Sequence, residues 1–227
     1  MMKMKLLFIA TTALFLTACG GITETKKSSV VEVKKAGKPV GIVKDVMKVA
    51  GIYRNQDGKN TIHPAFAKTS RPCPPFCIQP QNPFAPEPVD TVTELDIIHA
   101  LRDIANGANA MVIDARTSIW TTAKKGGTIK GAVNISFKKL NSKAVAKDPD
   151  AVMDILIKQF GVIDNGSGVL NFSKAKTLYL FCNGLWCGQS PAAIKSLLAL
   201  GYPASKLKYY REGMNSWHSL GLSTVGK

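Results

Sequence analysis

A short apolar run, a cysteine and a set of helix-start residues follow one another between residues 177 and 201. The apolar run, residues 177–180, predicts a buried strand. Ser190 and the proline after it suit the N-cap and the first turn of a helix, and Gly201 suits the position just beyond its end. Cys182 is therefore expected where a strand ends, at the start of a loop that leads into a helix N-terminus.

The expected position of Cys182 favours a reactive thiol. Loop amides and a helix N-terminus direct partial positive charge towards an enclosed sulfur, and this favours the thiolate, the nucleophilic form of cysteine. An inert cysteine packed as a small hydrophobic side chain is the alternative. The loop that would bind a substrate continues through Asn183, Gly184, Leu185, Trp186, Cys187, Gly188, Gln189 and Ser190.

Four segments of the chain, in the same order, resemble the rhodanese-like domain. They are the loop that begins at Cys182, residues 111–116 with their Asp-x-Arg ending, residues 127–135, and the ending over residues 212–222. Four ordered segments over about residues 89–225 are far more specific than one short motif. The resemblance implies an α/β fold with a central parallel sheet flanked by helices, to which an N-terminal accessory segment is added. It also implies a sulfurtransferase that holds sulfur as a persulfide on Cys182, without a cofactor or a metal.

The loop departs from the family pattern in two ways. The span from Cys182 to Ser190 is one residue longer than the usual loop of single-domain members, as in the phosphatase-like branch of the fold, and it contains no arginine. Phosphoryl transfer needs a cation or a bidentate donor on the phosphate oxygens, so phosphatase activity is disfavoured. The other departure is a second cysteine, Cys187, inside the loop.

Cys187 has two interpretations. It lies five residues after Cys182 in one loop, so the pair can approach within the Cα separation of about 4.4–6.8 Å that a disulfide tolerates. Alternatively, Cys187 fills space beside Trp186 as a small apolar side chain. In an oxidising compartment, a disulfide with Cys182 would protect a reactive thiol from irreversible over-oxidation, and this favours the redox interpretation.

Asp114 and Arg116 follow a predicted buried strand, where charged residues could be mistaken for catalytic groups. We interpret them instead as an ion pair or a hydrogen-bonded pair that orders the loops around Cys182. They are therefore predicted to be structural residues near the site.

The N-terminus of the chain resembles a bacterial lipoprotein signal. Two lysines precede the apolar residues 6–16, a run too short to span a bilayer, and residues 16–19 (Leu-Thr-Ala-Cys) are similar to a lipobox. The resemblance implies that residues 1–18 are removed and that Cys19 carries lipid. An ordinary secretory signal that leaves Cys19 free is the alternative. Residue 20 is glycine and not aspartate, so no inner-membrane retention signal follows, and the expected location is the periplasm-facing cell envelope, at the outer membrane.

Three further segments complete the predicted organisation. Residues 19–40 are polar and lysine-rich and predict a flexible tether. Residues 41–88 form an accessory segment, and residues 89–227 form the rhodanese-like domain. The formal net charge of +15 would suggest nucleic acid for a cytosolic protein, but an exported chain is expected to bind none. Anionic lipid headgroups or small sulfur anions suit this charge, and a solvated basic surface is the alternative.

Seven of the twelve prolines lie in residues 72–88, a stretch that we call the strap. The strap is predicted to be extended. It contains Cys73 and Cys77, which favour a small disulfide ring in an oxidising compartment. A metal site is less favoured, because two thiolates would need two further ligands. The strap could also fold over the loop and pair with Cys182 or Cys187, and the sequence leaves the three pairings of four cysteines open.

Strands alternate with helices in the predicted domain, which implies a parallel sheet. Thr91 and Glu94 fit a capping box that opens a helix over residues 95–105, and Asn106 and Gly107 end it. Further segments are predicted as strands at 111–114, 133–135 and 207–210, and as helices at 150–160 and 214–220.

Three functions fit these patterns. The first is a sulfurtransferase that takes sulfur from a small sulfur-containing anion and passes it to a thiol or another nucleophile. The second is a dithiol–disulfide exchanger that uses Cys182 with Cys187, or Cys73 with Cys77. The third is a catalytically silent rhodanese-like binding module. The oligomeric state is not readable from the chain.

Overall fold

A computed structural model describes residues 51–226 of the chain. These residues belong to one compact unit, Val40–Lys227. The predicted signal of residues 1–18, the lipidation site Cys19 and the predicted tether of residues 19–40 lie outside the described residues. Within residues 51–226, no helix has the length and apolar character needed to cross a membrane.

The described part of the chain alternates strands and helices. The strands are β1 (Asp90–Val92), β2 (Ala110–Asp114), β3 (Val133–Asn134), β4 (Ile163–Asp164), β5 (Leu170–Asn171), β6 (Thr177–Phe181) and β7 (Leu207–Tyr210). The α-helices are α1 (Glu94–Ala105), α2 (Ser142–Lys147), α3 (Pro149–Asp154), α4 (Gln189–Ala199) and α5 (Gly213–Ser219). A π-helical turn, Ile155–Gln159, extends α3, and short 3-10 turns lie at Pro64–Phe66, Ser118–Thr121, Ala123–Lys125, Phe137–Lys139 and Ala204–Lys206.

Five of the strands form the central sheet in the order β1-β7-β6-β2-β3. All four pairings are parallel, which confirms the predicted α/β fold with a parallel sheet. Asp114 is in register with Phe181, and Phe181 with Tyr210, so the carboxyl ends of the three middle strands are level. Parallel α/β sheets bind their ligands at this edge.

The two faces of the sheet bury separate apolar clusters, because successive strand residues point to opposite faces. Leu178 and Leu180 of β6 belong to one cluster, together with side chains of α4 and of the π turn. Phe181 belongs to the other cluster, which contains side chains of α1 and α5. Helices therefore cover both faces and leave the level strand ends accessible to the loops.

Residues 52–66 contribute buried side chains to the core. Ile52 and Phe66 are fully buried in the cluster that contains α1 and α5. Asn55 N–H donates to the carbonyl of Gly221, and Ser223 N–H donates to the carbonyl of Tyr53. Tyr53 itself is exposed, and the next residue, Arg54, forms an antiparallel bridge with Leu222 in the C-terminal segment.

Two helix starts differ from the prediction. The capping box of α1 is formed by Thr93 and Asp96, not by Thr91 and Glu94, because Thr91 is paired with Tyr209 in the sheet. Helix α4 begins one residue before Ser190, with Gly188 at its N-cap. Ser190 is thus free to make a different hydrogen bond, to the Cys182 sulfur.

Candidate active site

Cys182 directly follows β6 and begins the loop that leads to α4. The strand ends here because the chain turns away from the sheet at Asn183 and Gly184, both of which are buried. The Cys182 side chain is 1% exposed, beneath the remainder of the loop. This is the predicted position, at the carboxyl edge of the sheet and close to a helix N-terminus.

Hydrogen bonds around the Cys182 sulfur favour its thiolate. The Ser190 hydroxyl donates to Cys182 Sγ over 3.0 Å. Burial alone would raise the pKa of Cys182, but bonds from the Cys187 thiol, the Ser190 hydroxyl and the amides of Ser190 and Gly184 outweigh it and lower the pKa to about 7. Cys182 therefore has the character of a nucleophile at neutral pH.

Cys187 is the immediate neighbour of that sulfur. Both cysteines are free thiols, and the Cys182 thiol is 3.2 Å from the Cys187 carbonyl oxygen. The hydrogen bond between the two thiols and burial raise the pKa of Cys187, so one proton remains on Cys187 when Cys182 ionises. A thiolate next to a protonated thiol is the arrangement from which a disulfide forms on oxidation.

Asp114 and Arg116 form a fully buried ion pair behind the loop. Arg116 Nη2 and Nε donate to the two Asp114 carboxylate oxygens over 2.6 and 2.8 Å. Arg116 Nη2 also donates to the Gly127 carbonyl over 2.7 Å, and Arg116 Nη1 donates to the Asn183 side-chain oxygen over 3.2 Å. The pair does not contact the Cys182 sulfur through any of these bonds, and it fixes the loop through Asn183.

The start of α5 clamps the other side of the loop. The amides of Met214 and Asn215 donate to the carbonyls of Cys182 and Asn183 over 3.0 and 2.9 Å. Gly213 makes this approach possible, because it has a φ of +54° and a Cβ there would collide with the Cys182 carbonyl. The loop backbone is therefore held by α5 and by Arg116 together.

The strap lies against the outer side of the loop. Cys73 and Cys77 are joined as a disulfide with their Cα atoms 4.6 Å apart, so the strap and loop cysteines do not pair with each other. Gln79 N–H donates to the Leu185 carbonyl over 2.8 Å, and the Gln79 carbonyl accepts from Arg211 Nη2 over 2.7 Å. These bonds attach the strap to the loop and to the end of β7.

A cavity of about 150 Å³ lies between the strap and the loop. Cys187 and Gln189 line it from the loop, and Arg71 and Phe76 line it from the strap side. The Arg71 guanidinium stacks on the Trp186 ring at 4.2 Å from the ring centroid. Cys182 is not among the lining residues, so Cys187 is the loop thiol that faces the cavity.

The structure brings together most of the residues singled out in the sequence. The loop residues from Cys182 to Ser190 enclose the sulfur or line the cavity, and Asp114 and Arg116 lie behind them. Cys73 and Cys77 lie nearby in the strap but make their own ring. Arg71 was missed, because an arginine in front of a proline-rich stretch carries no signal that connects it with a loop more than a hundred residues later.

Comparison with known proteins gives a match to one family model. The model described as Rhodanese-like domain matches residues 98–220, more than half of the chain. The matched range contains β2, β6, β7 and the Cys182 loop, but not the strap. The comparison with curated proteins found no match.

Solved structures of low sequence identity also match. A Bacillus halodurans protein is 15% identical, with 60% of this chain and 77% of that chain covered and a TM-score of 0.38. A Lactobacillus plantarum protein is 16% identical, with 59% and 87% covered and a TM-score of 0.37. Wild-type EanB is 15% identical, with 61% of this chain but only 28% of the EanB chain covered and a TM-score of 0.39.

Proposed function

This chain belongs to the rhodanese-like domain family, and on that premise we propose that it is an exported sulfurtransferase that carries sulfane sulfur as a persulfide on Cys182. The observation that carries the proposal is the hydrogen-bonded Cys182 sulfur, whose pKa is lowered to about 7. A buried structural cysteine has no need of such stabilisation, since burial by itself raises the pKa of a thiol.

Transfer proceeds in two displacements at sulfur. The Cys182 thiolate attacks the outer sulfur of a small anionic donor such as thiosulfate. The bond between Cys182 and that sulfur forms as the donor's sulfur–sulfur bond breaks, and sulfite leaves with the electron pair. A nucleophilic acceptor, such as a thiol or cyanide, then attacks the terminal persulfide sulfur and releases the Cys182 thiolate.

The surrounding groups stabilise the negative charge of the Cys182 thiolate, the state that begins and ends each transfer. The Ser190 hydroxyl and the amides of Gly184 and Ser190 donate hydrogen bonds to the Cys182 sulfur, and they are preorganised by the loop and the first turn of α4. Arg116 makes no hydrogen bond to the Cys182 sulfur and acts on the loop through Asn183. It is a positioning residue.

Access to Cys182 depends on Cys187. Cys187 lines the cavity, whereas Cys182 is 1% exposed. We expect the Cys187 side chain to turn aside when the donor reaches Cys182. This rearrangement requires the pair to be reduced, since a disulfide would remove the nucleophile.

Contact between the two thiols supports dithiol–disulfide exchange as a second candidate. Cys182 supplies the low-pKa thiol and Cys187 a neighbouring thiol with a raised pKa. A reduction potential well above about −300 mV for the Cys182–Cys187 disulfide would favour this function, because structural disulfides lie below that value.

The location and the partners belong to the same proposal. Residues 16–19 are similar to a lipobox, so we place the mature chain at the periplasmic side of the outer membrane, anchored through lipid on Cys19. Its substrates there are a small sulfur anion and a nucleophilic acceptor. Removal of residues 1–18 takes away two lysines and leaves a formal net charge of +13, which favours the approach of such anions.

Intact-mass spectrometry before and after thiosulfate tests the sulfur transfer. We expect an added mass of about 32 Da that fragment analysis assigns to Cys182, since thiolate character selects the reacting thiol. Cys182→Ser should show no adduct and no thiocyanate formation. Absence of both the adduct and turnover in the reduced parent protein would leave a binding module, and an adduct confined to Cys187 would overturn the assignment of Cys182.

A further inference from the structure

We propose that Arg71 binds the anionic group of the sulfur donor in the cavity between the strap and the Cys182 loop. Arg71 lies outside residues 98–220, so the family match assigns it no role. The inference deepens the proposed function by specifying the charge and size of the donor. The inference rests on the proposed function for the reaction of the donor with Cys182, but the binding of an anion by Arg71 does not depend on that function.

The Arg71 guanidinium is a cation without a counter-ion. Its central carbon lies 4.2 Å from the Trp186 ring centroid and 5.1 Å from that of Phe76. Aromatic stacking holds the group in place but leaves its charge uncompensated. No carboxylate of residues 51–226 forms an ion pair with it. Its Nε is buried and has no hydrogen-bond partner in the described part of the chain, which is rare for a buried donor and requires an explanation.

A second unpartnered group lines the same cavity. The side-chain amide oxygen of Gln189 is buried and makes no hydrogen bond within residues 51–226. Rotation of this amide by half a turn would present its N–H₂ donors in place of the oxygen. Arg71 and Gln189 thus each bring a polar side chain to the cavity, and none of the residues that line the cavity is acidic.

The size of the cavity suits a small ion. Its volume is about 150 Å³. Pockets for drug-sized organic ligands are larger, about 300–1,000 Å³. A compact tetrahedral oxyanion such as thiosulfate fits, whereas a long organic persulfide could insert only its sulfur end.

The strap positions Arg71 before any ligand binds. Cys73 and Cys77 close a ring two residues after Arg71, and the bonds of Gln79 to Leu185 and Arg211 fix the strap beyond the ring. A preorganised cation loses little freedom on binding, which favours affinity. Arg71 thus supplies, from outside the matched domain, the positive charge that the loop itself lacks.

Anion binding can be measured without turnover. The full-length Cys182→Ser protein is titrated with thiosulfate and, in parallel, with unreactive sulfate, and tryptophan fluorescence reports binding because Trp120 and Trp186 line the cavity. We expect Arg71→Gln to weaken binding of both anions about 10- to 100-fold, the effect of losing charge-assisted hydrogen bonds. Arg71→Lys should be intermediate, and Lys68→Gln, an exposed cation three residues earlier, should bind as the parent does. Equal affinity in Arg71→Gln and its parent, or no saturable binding to the parent, would overturn the inference.

Kinetics of the Cys182-containing protein separate binding from packing. Arg71→Gln should raise KM for thiosulfate by a similar factor with little change in kcat, and should leave alkylation of Cys182 by neutral iodoacetamide unchanged. If alkylation slows as much as turnover does, Arg71 acts only by packing on Trp186 and the inference is wrong. If the parent transfers no sulfur at all, the proposed function fails, and the titration still decides whether Arg71 binds an anion.

Discussion

Replacement of Ser190 by alanine should raise the pKa of Cys182 and slow its reactions at neutral pH. The Ser190 hydroxyl donates to the sulfur over 3.0 Å and is itself fully buried, so no water replaces it readily. The substitution removes one oxygen atom and leaves the Ser190 backbone amide in place. It therefore tests one hydrogen bond and not the whole loop.

The magnitude follows from the strength of that bond. The combined hydrogen bonds lower the pKa of Cys182 from 9.0 to about 7 against the effect of burial. A hydrogen bond to a charged group contributes about 1.5–3 kcal/mol, and each pKa unit corresponds to about 1.4 kcal/mol. Ser190→Ala should therefore raise the pKa by about one to two, so that the thiolate fraction at pH 7 falls from about half to about a tenth or less.

The thiolate is measured directly by its ultraviolet absorbance and by the rate of iodoacetamide alkylation between pH 5 and 10. We expect the alkylation rate in Ser190→Ala to be about 5- to 50-fold lower at pH 7. Above pH 9 it should approach the parent rate, because Cys182 is then ionised in both proteins. Ser196→Ala is the matched control, because Ser196 lies on the same helix and donates to the Ala192 carbonyl, away from the sulfur. Both variants are made in a Cys187→Ser background, so that Cys182 is the loop thiol that titrates, and each is compared with the Cys187→Ser parent, in which a serine hydroxyl replaces the Cys187 thiol as a donor.

Two results would refute this reasoning. An unchanged Cys182 pKa in Ser190→Ala would mean that the hydroxyl does not stabilise the thiolate. A rate that remains low above pH 9 would mean that the substitution disturbs access or loop geometry instead of ionisation.

Three further predictions concern other parts of the molecule. Wild-type sulfurtransferase activity should require a reductant, whereas Cys187→Ser should be active without one. Peroxide should inactivate Cys187→Ser irreversibly, but dithiothreitol should restore the activity of the peroxide-treated parent. Equal and unrecoverable loss in both proteins would mean that Cys187 only fills space in the loop. Cys19→Ala should release the protein from the membrane fraction, and unchanged membrane association would count against a lipid anchor. Asp114→Asn breaks a fully buried ion pair and should lower the free energy of unfolding by about 3–5 kcal/mol in denaturant titrations, while Asp154→Asn in an exposed pair should change it by about 1 kcal/mol or less.

The fold was predictable because its strands are short, apolar and separated by clear stop signals. The run before Cys182 is a buried strand as predicted, and Gly201 follows the end of α4 with a φ of +86° as expected. Helix starts were less predictable, since more than one residue near a helix start can serve as the N-cap, as Thr93 does for α1 and Gly188 for α4. Thr91 was misassigned because pairing with β7 outweighs its capping preference.

The chemistry of the site was predictable only in part. Cys182 is marked by its position between a strand and a helix, and Asp114 and Arg116 by their spacing behind a strand. The hydrogen bond from Ser190 to the sulfur depends on the exact turn at which α4 begins, which sequence patterns do not determine. Arg71 is brought to the loop by the course of the strap, and no local pattern encodes that contact.

The strand order β1-β7-β6-β2-β3 has a consequence for how the chain acquires its structure. The last strand of the sheet, β7, lies between the first strand and β6, and Asp90 pairs with Lys208, 118 residues further on. Until residues 207–210 are available for pairing, β1 has no partner in this sheet and β6 keeps an open edge, which is an aggregation hazard. Such long-range pairing slows folding. The domain must therefore assemble late and nearly all at once, and a product that ends before residue 207 should be recovered as aggregate or degraded chain, not as a smaller folded protein.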